Sequence, residues 1–141
     1  NGQLKVWGTR GGRQCIRTCT GVGFGLCLAF LPGDRHVVVG CKEGKLHLID
    51  LASGDVIETH DDAHAGAIWS LDVRPDGKGL MTSSADHEVK FWELEMAEGK
   101  LSLVHTRTLK MSDDVLAVRY SRTKDPERLL VAVALLDSTV K

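Results

Sequence analysis

An all-β fold of repeated four-stranded sheets is predicted by three observations. Short runs rich in Val, Ile, Leu, Phe and Trp, separated by Gly, Asp, Pro and Ser, recur about every 8 to 12 residues, as in a sandwich, barrel or propeller. The segments LKVW, LHLI and VKFW end at Trp7, Ile49 and Trp92, 42 and 43 residues apart, which is the repeat length of a propeller blade and has no reason to occur in a sandwich. Pro32 and Pro75 are also 43 residues apart, each followed by a Gly/Asp pair suited to a tight turn between strands. The predicted architecture is therefore a β-propeller, with about three four-stranded blades in these 141 residues.

Taken in order, residues 1–20 read as the end of one blade, with an outer strand near residues 13–19. Residues 21–62 form the next blade, with its inner strand first. At the 43-residue offset, residues 24–31 fall on 67–74, 36–40 on 79–83 and 45–50 on 88–93, which places a second blade over residues 63–109. Residues 110–141 form an incomplete third. Residues 115–120 match 68–73 at an offset of 47, whereas Asp137, Val140 and Lys141 match Asp86, Val89 and Lys90 at 51, so four residues are inserted within 122–128. Insertions of this kind sit in surface loops. Asn1 occupies the position of Asp86 in its own repeat and Lys141 stops short of the expected aromatic, so the chain reads as a segment cut within two blades.

Residues 64–93 read HAGAIWSLDVRPDGKGLMTSSADHEVKFWE, which resembles a WD repeat: a His after a small-residue turn, a Pro-Asp-Gly turn, then Asp six residues before Trp. The resemblance implies a buried hydrogen-bonded set of His64, Thr82, Asp86 and Trp92. Ser84 is the reserve for Thr82, because alternate residues of a strand share a face. Ser or Thr with His and Asp is also the inventory of a hydrolase triad. However, Asp86 lies in a tight turn before a Trp whose only polar group is a donor, so the set reads as satisfied buried polarity. The preceding blade carries Gly21, Val39, Glu43 and Ile49 at these positions, and the following one keeps Asp137 but has Met111 and Val133 at the His and Thr positions. Those two blades are expected to rest on apolar burial, with Cys41, residues 37–39 and residues 129–136 as examples.

Longer stretches, among them FLPGDRHVVVG, KEGKLHLIDLASG, TRTLKMSDDVLAVRYS and LLVAVALLDSTVK, resemble the WD-repeat subunits of the small-subunit processome. That resemblance implies tandem seven-bladed propellers with a helical tail and a location in the nucleus and nucleolus. It also implies partners among other processome WD-repeat proteins and the U-three small nucleolar ribonucleoprotein, and a non-catalytic role in pre-rRNA processing and small ribosomal subunit assembly.

The remaining signals are weaker. Eighteen Lys and Arg stand against 19 Asp and Glu, for a net charge of −1, so no general attraction for polyanions is expected. Residues 1–20 nevertheless carry Lys5, Arg10, Arg13 and Arg17 with no acid, and residues 55–62 carry Asp55, Glu58, Asp61 and Asp62 with no Lys or Arg. Arg10, Arg13 and Arg17 are the candidate for contact with RNA or a partner, a solvated edge being the plainer account. The longest apolar run, residues 129–136, is far below the roughly 20 residues of a membrane span. With no charged-then-apolar leader, neither membrane nor secretion is expected. Cys15, Cys19, Cys27 and Cys41 contain no C-x-x-C pair and read as reduced structural thiols of an intracellular protein. His60 with His64 is spaced like half a zinc site, but 40 residues separate it from Cys19, so no metal is expected and His60 reads as a solvated loop residue. The glycine-rich residues 21–25 lead into a strand and lack the helix of a phosphate loop, so they read as a blade-linking loop. No cofactor and no small-molecule substrate are expected. No acid, base and nucleophile converge outside the WD-repeat set, which leaves a non-enzymatic interaction scaffold as the expected function and direct RNA contact as the alternative.

Overall fold

The computed structural model describes residues 2–12, 14–137 and 140–141; Asn1 and Arg13 lie outside them. Twelve strands are described: β1 (Gln3–Trp7), β2 (Cys15–Thr20), β3 (Gly25–Phe30), β4 (His36–Cys41), β5 (Leu46–Asp50), β6 (Asp55–His60), β7 (Ile68–Val73), β8 (Gly79–Ser84), β9 (Glu88–Ala97), β10 (Lys100–Lys110), β11 (Val115–Tyr120) and β12 (Val131–Leu135). They form two four-stranded antiparallel sheets, β3-β4-β5-β6 and β7-β8-β9-β10, flanked by the two-stranded sheets β1-β2 and β11-β12. Each sheet is a meander of consecutive strands, so every pairing is a hairpin set by its own turn.

The turns explain the registers. In the first four-stranded sheet the Asp34 N–H donates to the Leu31 carbonyl at 3.1 Å, and in the second the Gly77 N–H donates to the Arg74 carbonyl at 2.8 Å, closing β-turns around Pro32 and Pro75. Six residues lie between the paired Phe30 and Val37 and between Val73 and Leu80, but ten between Tyr120 and Val131. The four-residue insertion is therefore in this last hairpin, where it carries a short 3-10 turn at Pro126–Arg128. The inner strand of each hairpin pair also bulges at one equivalent place: Leu26, Trp69 and Leu116 interrupt the pairing with β4, β8 and β12. A bulge adds twist where it occurs, so the three sheets coil alike.

Neighbouring sheets stack face to face over three apolar clusters. The largest joins Leu31, Val38, Leu46 and Leu48 of one four-stranded sheet to Ile68, Leu71, Leu80, Trp92 and Leu103 of the other. A second lies between β1-β2 and the first sheet, and a third between the second sheet and β11-β12. The close approach is built around glycine at one point in particular. Gly44 has φ +85°, and a Cβ there would meet the His64 carbonyl oxygen at 2.1 Å, because the His64 N–H donates to the Gly44 carbonyl across the sheet boundary at 3.0 Å. Only glycine combines that φ with that proximity. Residues 129–136 differ from expectation. Val133 and Leu135 are buried, but Leu130 and Leu136 are 70% and 57% exposed, since strand alternation turns only every second side chain inward. Among the described residues no helix is long and apolar enough to cross a membrane.

Candidate functional site

The second four-stranded sheet brings His64, Thr82, Asp86 and Trp92 together. Thr82 sits mid-strand on β8, opposite Lys90 and Leu71, and Trp92 lies on β9. His64 enters from the loop after β6, and Asp86 from the β8–β9 turn. The Trp92 Nε1–H donates to Thr82 Oγ1 at 3.0 Å, Thr82 Oγ1 lies 2.7 Å from His64 Nε2, and His64 Nδ1 lies 2.8 Å from Asp86 Oδ2. One proton arrangement satisfies the whole chain: the Thr82 hydroxyl donates to Nε2 of a neutral His64, whose Nδ1–H donates to the Asp86 carboxylate. Asp86 also accepts from the Ala65 N–H at 3.0 Å and the Glu88 N–H at 2.9 Å, so one carboxylate ties the incoming loop to the turn. Ser84, the reserve for Thr82, accepts instead from the Asp86 N–H at 3.1 Å.

The electrostatics follow from burial. The His64 ring has no exposed surface, and burial pulls its pKa down against the attraction of Asp86, so it is neutral at pH 7. Burial raises the Asp86 carboxyl, but the hydrogen bond from His64 and the two backbone N–H groups outweigh it and hold the group below its ordinary value. Although Thr82, His64 and Asp86 are connected in the order of a hydrolase triad, Thr82 is wholly buried and its oxygen already accepts the indole proton. A carbonyl carbon has no path to it. No buried side-chain nitrogen or oxygen among the described residues lacks a partner.

In the first four-stranded sheet Val39 and Ile49 take the places of Thr82 and Trp92 inside an apolar cluster with Leu4, Cys19, Val37 and Cys41. In the last sheet Asp137 Oδ2 accepts from the Ser112 hydroxyl at 3.2 Å. The four cysteines are free thiols, Cys19 and Cys41 buried, Cys27 partly and Cys15 exposed. Burial pushes the Cys41 thiol up to about 11 and Cys27 to about 12, so both stay protonated and pack as small hydrophobes.

His60 is not a solvated loop residue. It ends β6, paired with Leu46, its ring stands edge-on to Trp92 at a centroid separation of 5.0 Å, and its Nε2 meets the Glu58 carboxylate. The same carboxylate accepts from the Leu103 N–H of the next sheet at 3.0 Å, an inter-sheet bond that sequence reading missed because no repeat position marks it. Of the basic set, Arg10 and Arg17 are exposed and Arg13 lies outside the described residues. The Arg17 stem crosses the turn at Gly54, its Cδ 3.1 Å from where a Cβ would stand. His64, Asp86 and Glu88 lie close enough to share a cation, but the His64 and Asp86 atoms are engaged with each other.

Residues 54–93 match the family model described as "WD domain, G-beta repeat". That span starts at β6 of one sheet and ends on β9 of the next, so one sequence repeat links two sheets covalently. The chain is 49% identical to WD repeat-containing protein 3 of Homo sapiens over 98% of its length and 14% of that protein's. It is 43% identical to U3 small nucleolar RNA-associated protein 12 of Saccharomyces cerevisiae over 100% of its length and 16% of that protein's, and thus spans about a seventh of these relatives. The crystal structure of the WD40 β-propeller domain of Doa1 superposes with a TM-score of 0.69 at 21% identity, over 90% of this chain and 39% of that one, a likeness of fold alone. Repeat match, sheet architecture and relatives agree: the chain belongs to the WD-repeat β-propeller family, of which it forms an arc.

Proposed function

We propose that this chain is part of a non-catalytic scaffold of the nucleolar small-subunit processome, supporting U-three-dependent pre-rRNA processing and small ribosomal subunit assembly. Similarity along essentially the whole chain to a protein whose name ties it to U3 small nucleolar RNA carries this reading. The geometry supports its non-enzymatic part, because the polar constellation spends its hydrogen bonds on its own loop and strands. His64, Thr82, Asp86 and Trp92 act as architecture in this reading, and binding falls to exposed loops and edges. The four blade spans read from the repeat, residues 1–20, 21–62, 63–109 and 110–141, serve as its structural units. Affinity purification of the full chain from nucleoli tests it: co-purification of other processome WD-repeat proteins and the U-three ribonucleoprotein is expected, and their absence overturns the assignment.

Direct RNA contact through Arg10, Arg13 and Arg17 is the second reading, favoured by the exposure of Arg10 and Arg17 in a stretch without acids. Reversing the three charges should abolish crosslinks to pre-rRNA while assembly persists; unchanged crosslinks reject it.

A further inference from the structure

The β9–β10 hairpin is longer than its counterpart. In the first four-stranded sheet the outer hairpin ends at the pair Asp50 and Asp55, level with His36 on β4. In the second, Glu93 is level with Gly79 on β8, but pairing continues past it to Ala97 and Lys100. The four extra residues on each strand project beyond the sheet and are fastened to the neighbouring one by the Glu58 to Leu103 bond at 3.0 Å and by burial of Leu103. Between this overhang and the first sheet lies a groove of about 630 Å³, lined among others by Arg35, Ile57, Met96, Lys100 and Leu101.

Two features of the groove point to an occupant. First, Ile57 and Met96, two large apolar side chains that line it, are 44% and 68% exposed. Second, the exposed charge is of one sign. Asp50 is held by Arg35 at 3.1 Å and by the Ala52 N–H at 2.8 Å, and Glu58 by Leu103 and His60. Arg35 is 64% exposed beyond its pair, and Lys100 has no ion pair among the described residues.

We propose that this groove docks a short peptide segment of a partner protein, a large apolar side chain seated between Ile57 and Met96 and a flanking carboxylate against Arg35 and Lys100. It docks through side chains, because the outward Leu103 N–H that strand addition would use is taken by Glu58. The proposal deepens the scaffold reading and rests on it, yet fails separately: a groove without peptide leaves processome co-purification intact.

Random dodecapeptides on phage, panned against the full chain, provide the test, with an oligouridylate RNA as second probe. Recovered peptides should pair Leu, Ile, Phe or Trp with Asp or Glu. A synthetic consensus peptide should lose affinity by about tenfold or more in Met96→Glu, the scale of an apolar anchor leaving its pocket, and also in Arg35→Glu and Lys100→Glu. Phe24→Glu, on a distant loop, should leave it unchanged. Met96 is mostly exposed, so its variant keeps the fold, checked by circular dichroism. Peptides without that bias, an affinity indifferent to Met96→Glu, or oligouridylate as the ligand that depends on Arg35 and Lys100 would each overturn the proposal.

Discussion

The two four-stranded sheets share one meander, one pair of β-turns and one bulge position, yet they are held together differently. The second threads a polar chain from Trp92 through Thr82 and His64 to Asp86. The first puts Val39 and Ile49 at two of those positions and buries every residue of β5. The motif is thus one solution to a packing problem that apolar side chains also solve. What the polar solution adds is a charged tie to the incoming loop, because Asp86 accepts from the Ala65 N–H, whereas in the first sheet the Cys41 thiol holds that loop by donating to the Val22 carbonyl at 3.0 Å and Glu43 is exposed.

The sharpest way to break this comparison is to empty both cores. Trp92→Ala should cost about 3–5 kcal/mol and Ile49→Ala about 2–5 kcal/mol, measured by denaturant unfolding of the full chain. A cost near zero at Ile49 would mean that the first sheet has some support other than its apolar cluster. Next in size is Asp86→Ala, which strands three donors and should cost about 1–3 kcal/mol or more, while Glu43→Ala stays within about 0.5 kcal/mol. Equal melting temperatures for the two variants would mean that Asp86 holds its sheet no more firmly than Glu43 does. Thr82→Val should cost about 1–2 kcal/mol by unpairing the indole and Nε2 of His64, and a double-mutant cycle with Asp86→Ala should show non-additivity. Strict additivity would argue against a connected network.

The smallest effect is that of pH. His64 is depressed by burial, so below its unfolded value of about 6.5 the unfolded chain takes up a proton that the folded chain refuses. Stability present above that pH is therefore lost as pH falls toward the folded value. His47, depressed mainly by burial in the first sheet, acts in the same direction, and depressed Asp86 extends the loss below pH 4. Melting temperatures from pH 8 to 4 should decline, less steeply in His64→Gln; identical slopes would exclude His64.

What was legible in sequence was whatever repeats. Trp7, Ile49 and Trp92, the two proline turns and the insertion before Val131 all announce themselves by spacing, whereas the four residues of the polar chain, which the neighbouring blades do not repeat, came from the resemblance to a WD repeat. The overhang, the Glu58 bond and the packing of His60 on Trp92 are absent from any periodic signal. The last two arise where strands far apart in sequence meet at a sheet boundary, and Glu58 and His60 belong to a run, residues 55–62, whose charge suggests only solvent. The packing of the Arg17 stem over Gly54 is equally silent in sequence, where the residue announces only its charge.

The Glu58 to Leu103 bond has one more consequence. β10 runs eleven residues along the outer edge of its sheet, a length of unpaired backbone that invites a second molecule to add a strand and so seeds aggregation. A carboxylate lent by the neighbouring sheet closes that invitation at Leu103, and Lys100 and Lys110 guard the ends with charge. Replacing Glu58 with Ala should accordingly show itself less in the unfolding curve than in solubility: light scattering at high concentration should rise while the melting temperature moves little.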